Sequence, residues 1–215
     1  MALLLRVVNA CLIYNYLTKM AIFSRTIKRI KEFNKLAQID VIARRYLALN
    51  TFDGILTIFG IIVASFFAQI DTAKIIIIAC LGAAIAIAIS GFSGSYMTER
   101  AERKGQIKKL EKQIGMSLKK TDITRAHRFA IFFLSSIEGF SPFIMAVLII
   151  LPFFFITNIT IAFYASFLIS AMLLFLIGIF LGTVSKERLI KSGFKMLIIG
   201  AVCFAVIFFM ERLTG

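Results

Sequence analysis

Side chains that carry chemistry are scarce in these 215 residues. There is one histidine, and the three cysteines, Cys11, Cys80 and Cys203, are scattered in no metal or disulfide pattern. The cysteines read as small apolar packing residues. His127, between Arg125 and Arg128 beside an apolar run, reads as a boundary residue before it reads as a ligand. No Walker sequence, nucleotide-binding glycine pattern, Cys–His pairing or HExxH occurs. The sequence therefore points away from an enzyme and away from any bound cofactor. Acids are few as well, 11 against 25 Lys and Arg, for a formal charge of +14. That balance invites a nucleic-acid partner. The basic residues, however, fall between apolar runs and the aromatics are mostly Phe inside them, which sets nucleic acid aside.

Apolar chain is what the sequence has in abundance. It is 60% hydrophobic with a mean hydropathy of +0.93, beyond a soluble domain's usual share of about half. Five runs cover residues 46–68, 75–97, 129–155, 159–184 and 193–210, near the roughly 20 residues a bilayer span needs. The expected fold is an all-α integral membrane protein with five transmembrane helices in residues 46–215. Ahead of it, residues 21–45 place Ile27, Ile30 and Phe33 at helical spacing among seven basic residues, the pattern of a basic amphipathic helix at the membrane surface. Residues 1–19 are apolar, short and interrupted by Arg6. An interfacial helix or an extension ahead of Met20 suits them better than a cleaved signal, for want of a cleavage site, or a sixth span.

Charge orients the spans. Residues 21–45 hold seven Lys or Arg, 98–128 ten and 185–195 four, while the opposite side has only Lys74 and Arg212. The positive-inside rule makes the basic loops cytoplasmic and the C-terminus external, in a multi-pass protein of the cell membrane. In the largest basic loop Ile107, Leu110 and Ile114 continue a helical stripe that Gly115 stops, so 98–128 is expected to be a short helical hairpin. Small residues at Gly91, Gly94 and Ser95, at Gly178 and Gly182, and at Gly193 and Gly200 favour close helix packing.

Two acids lie deep in apolar runs, Asp53 and Glu138, about 10 Å and about 13 Å from the same boundary at 1.5 Å per residue. An ionisable group in a bilayer needs a partner, a cation or water. Asn50, Asp53 and Thr57 share one helix face, which is expected to point into the bundle. Pro142 cannot bond the carbonyl of Glu138, so a freed carbonyl, the Glu138 carboxylate and the hydroxyls of Ser135 and Ser141 form a candidate oxygen cluster. The competing reading is that each acid is capped by hydroxyls within the bundle. Glu99 and Glu102 share a face at the cytoplasmic mouth, as metal ligands or as partners in ion pairs. The candidate metal set is thus Asp53, Glu138, Asn50, Glu99 and Glu102.

At these residues the chain resembles the vacuolar iron transporter family. Asn50 to Thr57 is similar to that family's first-helix signature, Gly94-Ser95-Tyr96 to the end of its second helix, and Gly139 to Pro152 to its third. Residues 192–215 are similar to its last helix, and the resemblance covers about 44–215. It implies a five-helix homodimer that moves Fe²⁺, often Mn²⁺, out of the cytoplasm in exchange for protons, with Asp53 as the key acid. The chain departs from the family at Ser95, where a Glu is usual, and around 87–91, where methionines are replaced by Ile and Gly. The alternative expectation is a non-transporting scaffold or partner subunit whose buried acids pair with another chain.

Overall fold

The computed structural model of the chain describes residues 39–119 and 121–214, and every element among them is a helix. The segment 1–19 and most of the basic stretch 21–45 lie outside the described residues. In order come α1 (Ile39–Phe67), α2 (Ala73–Ile114), α3 (Asp122–Ile150), the single turn α4 (Pro152–Phe155), α5 (Ile159–Ser185) and α6 (Leu189–Thr214). Among the described residues five stretches, with α3 and α4 counted together, are long and apolar enough to cross a bilayer, and each overlaps one of the five apolar runs. Residues 39–45, assigned by the sequence to a surface helix, are instead the first turns of α1. Nothing between Ile39 and Tyr46 breaks a helix: that stretch holds neither glycine nor proline.

At about 60 Å, α2 is roughly twice the apolar thickness of a bilayer. It continues beyond Tyr96 and stops at Gly115, whose φ of +73° suits glycine and whose N–H bonds the Glu111 carbonyl. The hairpin to α3 is closed by its own polar groups. The Leu118 N–H donates to the Glu111 carboxylate at 2.7 Å, and the Thr121 and Thr124 hydroxyls each donate to the Leu118 carbonyl at 2.7 Å. Glu111 is therefore a loop-closing residue. At the other end, α1 finishes in a Schellman turn, with Gln69 at φ +53° and the Ile70 N–H bonded to the Ser65 carbonyl at 3.1 Å. Asn158 caps α5, its side chain accepting from the N–H groups of Thr160 and Ile161.

α3 is central. Its Ala146, Ile149 and Ile150 pack with Ile55, Ile58 and Ile62 of α1, Ile76 and Cys80 of α2, and Ala162 and Phe163 of α5. Cys80 is fully buried there, a packing residue as expected. A buried hydrogen bond from the Ser166 hydroxyl to the Ile149 carbonyl, 2.9 Å, ties α5 to α3. α1 crosses α3 at Gly54, where a Cβ would stand 2.6 Å from the Cα of Pro142. α5 and α6 meet in the same way at Gly178 and Gly193. Gly94, by contrast, faces open space.

A paired buried cluster and an outward-facing carboxylate

α1, α2 and α3 converge at the basic end of the bundle on a buried polar cluster. Glu99 and Arg103, one turn apart on α2, form an ion pair at 2.7 Å with both side chains about 95% buried (4% and 5% exposed). The Tyr46 hydroxyl of α1 donates to the other Glu99 oxygen at 2.9 Å. His127 Nδ1 of α3 lies 3.3 Å from a guanidinium nitrogen of Arg103. One ion pair thus fastens three helices. The cluster borders a cavity of about 360 Å³, whose wall also includes Arg45, Glu102 and Gln106. Glu102 is exposed and accepts a hydrogen bond from Gln106 at 3.3 Å.

Of the two readings of Glu99, the ion pair is the one this geometry carries. A cation taking the Glu99 carboxylate would strand a buried guanidinium, a loss of about 3–5 kcal/mol. Glu102, in the same cavity, keeps its carboxylate open to solvent. The sequence singled out neither Tyr46 nor Arg103, although the Glu99–Arg103 spacing of four is a legible helix pair.

Asp53 lies at the middle of α1, fourteen residues from either end, and its side chain is exposed on the outside of the chain. The expectation that its face points into the bundle is corrected. The reason is steric: Gly54, the next residue, is the one that enters the crossing with Pro142, and this turns Asp53 away from it. Asn50 and Thr57 are not arranged around the carboxylate either. The Asn50 amide donates to the Tyr46 carbonyl and the Thr57 hydroxyl to the Asp53 carbonyl, both at 2.8 Å. Among the described residues the Asp53 carboxylate forms no ion pair and accepts no hydrogen bond.

Glu138 is half-buried between α3 and α2 and lies within electrostatic reach of the Tyr46 hydroxyl. α3 continues unbroken through Pro142. The carbonyl that Pro142 leaves free, that of Glu138, faces α2. It abuts α2 at Gly91, where a Cβ would stand 3.0 Å away. One residue on, Gly139 abuts the Ala88 carbonyl in the same crossing. The expected oxygen cluster is therefore not assembled: that carbonyl is used in helix packing, and the Ser135 hydroxyl donates to Ile131. Among the described residues the hydroxyls of Ser95 and Ser141 are buried without a hydrogen-bond partner. Among the described residues no three of His, Cys, Asp and Glu come together, so Asp53, Glu138, Glu99 and Glu102 form no single ligand set within one chain.

No family model matches the chain. It is 34% identical over 170 residues to the uncharacterized protein MJ0645 of Methanocaldococcus jannaschii, a match covering 77% of this chain and 86% of that protein. The chain belongs to the family of MJ0645. That relative's name assigns no activity, so membership of the MJ0645 family brings neither ligand nor reaction to the site.

Proposed function

We propose that the protein is a multi-pass membrane transporter that exports a divalent cation, Fe²⁺ or Mn²⁺, from the cytoplasm in exchange for protons, and that it works as a homodimer. The observation that carries this reading is Asp53, a carboxylate with no ion pair among the described residues, facing outward from the middle of α1. Lipid cannot answer that charge; a second protein surface can. A two-fold axis beside α1 would bring two copies of Asp53 together and give the cation a pair of carboxylates. Glu102, exposed at the basic end of the bundle, would meet the ion at the cytoplasmic mouth. Oxygen ligands without a thiolate suit Mn²⁺ and Fe²⁺. Protonation of the carboxylates weakens such a site, which couples release of the ion to proton entry.

The outward face of α2 supports the dimer. Gly82, Ala86, Ser90 and Gly94 recur every four residues on it, all exposed, and nothing stands within 4 Å of where a Cβ would sit at Gly82 or Gly94. Small residues at this spacing let helices approach closely in lipid. The outward Asp53 suits one other arrangement, a different subunit whose Lys or Arg answers it, in which this chain transports nothing by itself.

Uptake into proteoliposomes tests the proposal, with Fe²⁺, Mn²⁺, Co²⁺, Mg²⁺ and Ca²⁺ compared with and without a pH gradient. The expected result is Fe²⁺ or Mn²⁺ flux that follows the gradient and is abolished in Asp53→Ala, which still inserts. Full flux in that variant would remove Asp53 from the site. No flux of any ion, from folded protein, would favour the partner-subunit arrangement.

A further inference from the structure

A second cavity, of about 540 Å³, lies on the α2–α3 hairpin. Its charge is one-sided. Arg100, Lys104 and Lys108 of α2, Lys119 of the turn and Arg128 of α3 line it, all exposed. None of the five forms an ion pair among the described residues. The acid in its wall, Glu111, is already engaged by the Leu118 N–H. Five cations collected in one concavity repel one another unless an anion lies among them.

The surface that adjoins this cavity is apolar. A groove of about 470 Å³ runs between α2 and α3, bordered by Ala88, Ile89, Phe92, Gly139 and Phe140. Phe132 lines both the groove and the basic cavity. It packs edge-on against Phe92, at 6.0 Å between ring centroids, and Phe92 stacks on Tyr96, which again lines the cavity. An aromatic seam thus joins a cationic basin to an apolar channel, and Phe132 and Phe140 are 63% and 61% exposed. Aromatic rings are enriched at the level where head groups meet acyl chains.

We propose that this composite surface binds one anionic phospholipid, with its phosphate among the five cations and an acyl chain along the groove past Phe132. The charge selects an anion, and the attached apolar channel selects one that carries a hydrocarbon chain. A soluble anion would leave the groove unused. The bound lipid ties the α2–α3 hairpin, the largest part of the described chain beyond the apolar runs, to the membrane surface. This inference rests on the reading of the five helices as membrane spans; it is independent of metal transport.

The test uses the purified full-length protein in detergent, with bound lipid counted by native mass spectrometry. Phosphatidylglycerol and phosphatidylcholine are titrated in parallel, and resistance of the chain to alkaline extraction from membranes checks the membrane reading separately. One phosphatidylglycerol is expected to bind at least tenfold more tightly than phosphatidylcholine. The triple variant Lys104→Gln, Lys108→Gln, Lys119→Gln should weaken it by at least tenfold, since basic residues near a membrane surface attract anionic head groups. The charge-matched control Lys186→Gln, Arg188→Gln, Lys191→Gln, on the α5–α6 turn, should leave binding unchanged. Ser93→Phe, which fills the groove, should weaken phosphatidylglycerol and leave inorganic phosphate unaffected. Equal retention of the two lipids, or an equal loss in the control variant, would overturn the proposal. Displacement of the lipid by inorganic phosphate at equal concentration would also overturn it, because the basin would then be a free-anion site.

Discussion

Asp53 lies within an apolar run and Glu99 at the charged end of one, and the fold reverses what those places suggest. Glu99 is buried against Arg103 and Tyr46, whereas Asp53 is exposed and has no partner among the described residues. A buried pair is costly to break from one side, because the remaining charge keeps its burial and loses its partner. Glu99→Ala is therefore expected to destabilise the protein by about 3 kcal/mol, whereas Asp53→Ala should leave the unfolding midpoint unchanged and affect only transport. Replacing both partners, as Glu99→Met with Arg103→Met, should cost less than either single change. Thermal unfolding in detergent measures all five variants, the two Met singles included, and a double variant worse than both singles would contradict the account of a costly buried pair. The Glu99–Arg103 spacing was legible as a helix pair, but its burial was not. That burial comes from Tyr46 and His127, which lie 53 residues before Glu99 and 24 residues after Arg103 in the chain.

At the scale of elements, helix ends and helix crossings obey different rules. The stop of α2 at Gly115, the Asn158 cap and the extent of each apolar run follow from a few adjacent residues, and all but the cap were read from the sequence. The crossings follow from which small residue meets which neighbour. Gly91, Gly178, Gly193 and Gly200 all sit in tight contacts, while Gly94, alike in sequence, faces open space. At the α1–α3 crossing Gly54→Ala would place a methyl group 2.6 Å from the Pro142 backbone, where no side-chain rotation relieves it. The expected loss is about 1–3 kcal/mol, read as a lower unfolding midpoint. An unchanged midpoint would mean that α1 and α3 are not held as close as described. Because Gly54 fixes the rotation of α1, Gly54→Ala is also expected to reduce transport, through the direction Asp53 faces.

Taken whole, the chain leaves its most costly group facing outward, and a single copy does not complete the proposed site. The prediction proper to this scale is oligomeric. Gly82→Leu with Gly94→Leu adds bulk only where the protomer has open space, so folding should be unaffected while a dimer through α2 is blocked. Mass photometry in detergent should show dimers for the wild type and monomers for the double variant. A monomeric wild type would overturn the homodimer, and an undisturbed dimer would place its interface elsewhere.

The sequence by itself determined five apolar helices, their order and the hairpin that extends α2 and α3. Run length, breakers and caps are local, and each can be read within a turn or two. The tertiary structure alone decided which face of each helix is covered. α1 is apolar almost all round, so its pattern has no strong phase to mark an inner side. The contact of Gly54 with Pro142 sets the rotation. That contact joins residues 88 positions apart, and it turns Asp53 outward and draws Tyr46 in to Glu99.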